Sequence, residues 1–131
     1  MGDFRFLYAT DRYDECRRFY GEVLGWPVVT SWDDDGRGTV FRAGGDGCVE
    51  VAEAPPGSPG PSGVSIAVEV PDVDALHADL ARQGVTASQA LADQRWGHRS
   101  VGVVDPAGVP VVFFTVAGRG PLGEEGIDGL D

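Results

Sequence analysis

Twice in this chain an alternating apolar run is followed by an acidic cap, a stretch of helical period and a glycine. The first copy is FRFLYATDRYDECRRFYGEVLGW, Phe4 to Trp26; the second is GVSIAVEVPDVDALHADLARQG, Gly63 to Gly84. Within the first, Phe4, Phe6 and Tyr8 share one strand face and Arg5, Leu7 and Ala9 the other. Thr10 or Asp11 caps a helix whose buried stripe is Tyr13, Cys16, Phe19, Tyr20, Val23 and Leu24, and Gly25 ends it. Within the second, Pro71-Asp72 starts a helix with Val73, Leu76 and Leu80 inward, and Gly84 closes it. Neither copy is long enough to close a core alone, so the two must pack together or pair across a dimer.

Three further strands follow each copy. In the first half they are Trp26 to Trp32, Thr39 to Ala43 and Cys48 to Ala52, with turns at Asp33-Asp34-Asp35-Gly36 and Gly44-Gly45-Asp46-Gly47. In the second they are Val85 to Leu91, Arg99 to Val104 and Pro110 to Val116, the last two a hairpin across Asp105-Pro106-Ala107-Gly108. The expected organisation is one domain over 1–117. Its modules span 4–53 and 63–116, and a Pro/Gly/Ser linker joins them over 54–62. The acidic, glycine-rich stretch 118–131 carries no period and is expected to be a mobile tail.

Composition narrows the partners. The net charge is −11, and all ten basic residues are arginine. Such a chain repels nucleic acid and anionic membrane; it suits a cationic ligand, or the charge serves solubility alone. No apolar run has signal-peptide or transmembrane form. Two cysteines, Cys16 and Cys48, both in apolar patterns, fit a reduced, cytoplasmic protein.

The ordered set of Phe19-Tyr20, Val23-Leu24-Gly25-Trp26, Val49-Glu50-Val51, Ile66 to Val70 before Asp72-Val73-Asp74, Trp96-Gly97-His98-Arg99 and Asp105-Pro106-x-Gly108 resembles the vicinal-oxygen-chelate superfamily. That superfamily holds glyoxalase I, extradiol dioxygenases and bleomycin-resistance proteins. The resemblance runs from about Phe4 to Val116. It implies an α+β fold of two βαβββ modules, with curved mixed sheets around a groove, in a homodimer. It also assigns four metal-ligand positions, which fall at Phe4, Glu50, Ser65 and Val112. Only Glu50 ligates a divalent metal well, and such a metal wants three or four His, Cys or carboxylate ligands. His77 lies on the second helix and His98 in a loop. No metal, no cofactor and no catalytic residue is therefore assigned.

The expected ligand-binding set is Phe6, Tyr8, Trp32, Phe41, Glu50 and Trp96, with Arg99 at the mouth. Trp32 and Trp96 stand near turns, where a flat ligand could be clamped. For Phe6, core or interface packing is the competing role; for Arg99 it is a salt bridge within the protein; for Glu50 it is plain solvation. The function these features imply is non-catalytic binding and sequestration of a bulky aromatic antibiotic of bleomycin, mitomycin or enediyne type. The alternative is a metal-independent lyase or isomerase with Glu50 as base.

Overall fold

The computed structural model describes residues 3–116, so the expected tail over 118–131 lies outside the described residues. Eight strands and two helices follow the predicted order: β1 Phe4–Thr10, α1 Tyr13–Arg18, β2 Val28–Trp32, β3 Gly38–Gly44, β4 Gly47–Glu53, β5 Ile66–Glu69, α2 Val73–Arg82, β6 Gln89–Asp93, β7 His98–Val104 and β8 Pro110–Val116. They form two four-stranded sheets, ordered β1-β4-β3-β2 and β5-β8-β7-β6. The repeated grammar is thus a repeated topology, with the first strand of each half beside the last.

The chain divides into two compact units. One runs to Ile66 and takes in Val104–Pro110; the other is Ala67–Val103 with the chain from Val111 on. The β7–β8 turn therefore belongs with the first half, although its strands belong with the second.

In the first unit β1 runs parallel to β4, and β2 and β3 complete the sheet antiparallel. Alternation is set by what the helix covers. Phe41, Val49 and Val51 are buried on the helix side, and Tyr20 packs against the Phe41 ring at 5.8 Å. α1 departs from the expected regular helix. After Arg18 the chain takes a π-helical turn, Phe19–Val23, which accommodates one extra residue and buries both Phe19 and Tyr20. Thr10 Oγ1 accepts from the Arg12 N–H, while Asp11, a candidate cap, accepts from the Gly57 N–H at 2.9 Å instead. With Ala54 N–H donating to Thr10 O, this ties the 54–62 segment back onto the end of β1.

The exposed polar side of this unit centres on Arg37, which pairs with Asp14 and Glu53, both at 2.9 Å, and lies over the Tyr13 ring. Hydrogen bonds from Arg37 hold both carboxyls below their ordinary range. A depressed folded-state pKa means stability that is present at neutral pH and lost as pH falls through the folded value. Arg37→Ala is thus expected to lower the melting temperature slightly at pH 7, and the difference from the parent should close below roughly pH 4. A gap that persists undiminished in acid would show the loss to be one of packing on Tyr13.

In the second unit Val101, Val103, Val111 and Phe113 are buried on one side with Val73 and Leu80 of α2. Asp72 caps α2 by accepting from the Ala75 N–H at 3.0 Å. Thr115 Oγ1 accepts from the Val73 N–H and donates to Val70 O, fixing the strand-to-helix turn against β8.

Candidate functional site

Each sheet has a face turned away from its helix, and strand register decides which side chains reach it. In the first sheet Leu7 pairs with Glu50 and Glu50 with Val40. That face therefore carries Arg5, Leu7 and Ala9 from β1, Cys48 and Glu50 from β4, and Gly38 and Val40 from β3. Arg5 Nη1 donates to Glu50 Oε1 at 3.0 Å, and its Nε and Nη2 reach Asp3. Leu7 is 63% exposed beside this pair. Trp32 belongs here too. A Cβ on Gly38 would lie 2.1 Å from the Trp32 ring, so the indole rests directly over that glycine.

The expected binding set is thereby divided. Glu50 and Trp32 stand on the face away from the helix. Phe6, Tyr8 and Phe41 stand on the opposite one: Phe6 pairs with Val49, Tyr8 with Val51 and Phe41 with Val49. Phe41 has no exposure, and Tyr8 and Phe6 stack edge to face at 5.8 Å. Tyr8 and Phe41 are buried there and Phe6 is half-buried, so the three do not share a sheet face with Glu50. Phe4 shares their parity and is 74% exposed at the strand's start; the β1 side chain that hydrogen-bonds Glu50 is Arg5.

In the second unit, Arg99 likewise turns to the helix side. It forks onto Asp74 of α2, with Nη2 at 2.9 Å, and reaches Asp93 at 3.3 Å. Hydrogen bonds donated by its guanidinium to these carboxylates raise its pKa, so it is a committed salt-bridge residue. Trp96 is 60% exposed in the turn before β7. His98, expected in a loop, is instead the first residue of β7. Its ring lies flat on Phe114 of β8, centroids 4.2 Å apart and planes 4° from parallel, with Trp96 edge-on at 6.4 Å.

A cluster that sequence reasoning missed lies in the first unit. The buried carboxylate of Asp105 accepts from Tyr8 Oη at 2.5 Å and Tyr20 Oη at 2.6 Å on one oxygen. Its other oxygen accepts from the Ala107 and Val109 N–H groups, both at 2.9 Å. Burial, the largest cause, raises both phenols far above their ordinary value, so they stay protonated and donate. Burial also pushes the neighbouring Cys16 thiol up to about 11, which removes it as a nucleophile. The Asp-Pro-x-Gly turn was visible in the sequence. Its partners, 97 and 85 residues away, were not.

A cleft of about 340 Å³ also opens along the β2 edge, lined by Tyr13, Arg17, Ser31, Trp32, Asp33, Arg37 and Thr39. Its walls are mostly polar, and Arg37 is already committed to two carboxylates, so it offers little to an apolar ring.

The fold has many relatives among solved structures. TioX from Micromonospora sp. ML1 is 23% identical with a TM-score of 0.72, over 88% of this chain and 99% of that one. TnmS3, an antibiotic binding protein from Streptomyces sp. CB03234, is 22% identical with a TM-score of 0.75, over 89% and 97%. A lactoylglutathione lyase from Agrobacterium tumefaciens is 18% identical with a TM-score of 0.64, over 87% and 92%. No curated protein matches the sequence. At these identities the structures establish the fold alone, but the family model matches residues 4–113, and the chain belongs to the Glyoxalase/Bleomycin resistance protein/Dioxygenase superfamily.

Proposed function

We propose that the protein binds a bulky aromatic small molecule without transforming it, and that the ligand is an antibiotic of the bleomycin, mitomycin or enediyne kind. The observation that carries this is the placement of Trp32 over Gly38, on the sheet face that also presents Glu50, Arg5 and the exposed Leu7. That face offers an indole plane, an aliphatic side chain and a fixed ion pair. Such a set suits stacking and hydrogen bonding and supplies no bond-making group. The printed description of TnmS3 as an antibiotic binding protein supports the reading.

The residues present do not fit the divalent metal that the superfamily resemblance implies. Arg5 places a guanidinium 3.0 Å from Glu50, a cation where a second ligand would be needed. Ser65 and Val112 add no carboxylate, imidazole or thiolate. Among the described residues no three His, Cys, Asp or Glu side chains gather as a ligand set.

As part of this reading the protein works as a cytoplasmic homodimer whose residues 1–117 form one domain. Exposed apolar side chains on β1 and β2, among them Phe4, Leu7, Val28 and Val29, suit burial against a second copy. Mitomycin C, bleomycin and 1,4-dihydroxyanthraquinone titrated into the protein should quench tryptophan fluorescence and raise the melting temperature, and each compound should be recovered unchanged. Turnover of a small carbonyl substrate that Glu50→Gln abolishes, without binding of any of the three, would replace this proposal with a lyase or isomerase.

A further inference from the structure

The cleft along the β2 edge lies wholly within the first unit and differs in chemistry from the sheet face that carries Glu50. Ser31 pairs with Thr39, and Thr39 with Val51, which is buried on the helix side. Tyr13 of α1 reaches the same place, its hydroxyl 2.7 Å from Thr39 Oγ1. Arg17 stands one helical turn further along the same side of α1. Asp33 follows Trp32, where β2 ends. The helix thus supplies one wall of the cleft and the edge strand the other.

Four of its groups are available to a ligand. The side chains of Arg17, Ser31 and Asp33 and the Trp32 indole N–H make no hydrogen bond or ion pair with another described residue. Arg17, Ser31 and Asp33 are exposed and Trp32 is half-buried, so a ligand here takes the place of water. The free charges balance, one guanidinium against one carboxylate. The remaining cation, Arg37, is matched by Asp14 and Glu53. An anion would meet Asp33 and a chain of net charge −11; a cation would meet Arg17. The cleft therefore suits a neutral group rich in hydroxyls, each of which both donates and accepts. The indole adds a plane for the apolar C–H face of a sugar ring. A volume of about 340 Å³ is of small-ligand size.

Trp32 is common to this cleft and the proposed ligand face. Its ring lies over Gly38, on the face away from the helix, and it also lines the cleft. We propose that the cleft is a glycosyl subsite. The ligand is a glycoside whose planar aromatic part stacks on the sheet face at Trp32 and whose neutral hexose enters the cleft, its hydroxyls bonded to Asp33, Arg17 and Ser31. This rests on the aromatic-ligand reading above and narrows it to sugar-bearing ring systems. Hydrogen bonds to charged side chains are the stronger class, so Asp33 and Arg17 carry most of the sugar's contribution.

The test compares anthraquinone 2-O-β-D-glucoside with 2-methoxyanthraquinone, in which a methyl group replaces the sugar and the net charge is unchanged. The parent should bind the glucoside roughly tenfold more tightly, the worth of one charge-assisted hydrogen bond. The double variant Arg17→Ala, Asp33→Ala should bring that preference below about twofold and bind 2-methoxyanthraquinone as the parent does. Asp33→Asn, which removes one charge and keeps the side chain's shape, should lower the preference by itself and guards against a folding defect in the double variant. A tenfold preference that survives in the double variant places the sugar elsewhere and overturns the subsite. Equal affinity of the parent for the two compounds also overturns it and leaves the aromatic-ligand reading standing. Failure of the parent to bind either compound overturns both.

Discussion

Asp105→Ala should cost about 4 kcal/mol of stability, a fall in melting temperature of roughly 15 °C for a chain of this size. The carboxylate is buried and accepts four hydrogen bonds, two from phenols and two from backbone N–H groups of its own turn. Alanine leaves all four donors without this partner, three of them in buried bonds and the Ala107 N–H in a part-buried one. Each such orphan costs about 1–3 kcal/mol, partly offset because an ionised group no longer has to be desolvated. Tyr8→Phe and Tyr20→Phe each remove one donor and leave the acceptor satisfied, so each should cost only about 1 kcal/mol. The hierarchy is the test: denaturant melts in which Asp105→Ala lies within 1 kcal/mol of the parent would show that the cluster is not a keystone of the first unit. The phenols add an alkaline signature. Their folded pKa values are raised, so their contribution is complete below the ordinary phenol range and declines as pH rises above about 10, where unfolded tyrosines ionise. Both Phe variants should show a shallower alkaline decline.

That cluster marks where the sequence stops being readable. Element order was legible because it depends on local signals: alternation in β1, the Asp72 cap and the Asp-Pro-x-Gly turn. The π-helical turn at Phe19–Val23 was not, because Phe19, Tyr20, Val23 and Leu24 fit a regular helical stripe just as well. Which sheet face each site candidate takes was only partly legible, for a related reason. Both faces of β1 are rich in apolar residues, so alternation alone cannot say which lies under the helix. Reading the aromatic face of β1 as the ligand side put Phe6 and Tyr8 in the binding set. In the structure Tyr8 serves the core, where it reaches a buried carboxylate, Phe6 stands half-buried on the same face, and Arg5 on the other face reaches Glu50. Glu50 and Trp32 stand on the other face, and neither was assigned to it by the β1 aromatics. His98 was placed in a loop, and its stack on Phe114 was not legible because it is a contact between two strands that no spacing rule reports.

Gly38→Ala offers the sharpest test of the first sheet's ligand face. It should weaken 1,4-dihydroxyanthraquinone roughly tenfold while leaving the fold intact, an effect matched by Trp32→Ala. Gly38 has no unusual backbone conformation, so alanine introduces no dihedral strain there. What alanine introduces is a Cβ 2.1 Å from the Trp32 Cζ2 position, well inside any tolerable contact. The sheet partner positions on either side, Trp32 and Ala52, keep their backbone pairing, so the indole is the part that yields. A displaced indole no longer presents its plane over Gly38 on the face that carries Glu50, and stacking is worth on the order of 1 kcal/mol per ring beyond the area it buries. The tryptophan emission spectrum should shift in the unliganded variant, and the melting temperature should move by only a few degrees, because the clash is relieved at the far end of one side chain. The double variant Gly38→Ala, Trp32→Ala should bind no more weakly than Trp32→Ala alone, since the glycine acts only through the indole. Full affinity in Gly38→Ala despite a shifted spectrum would mean that the ligand does not use Trp32.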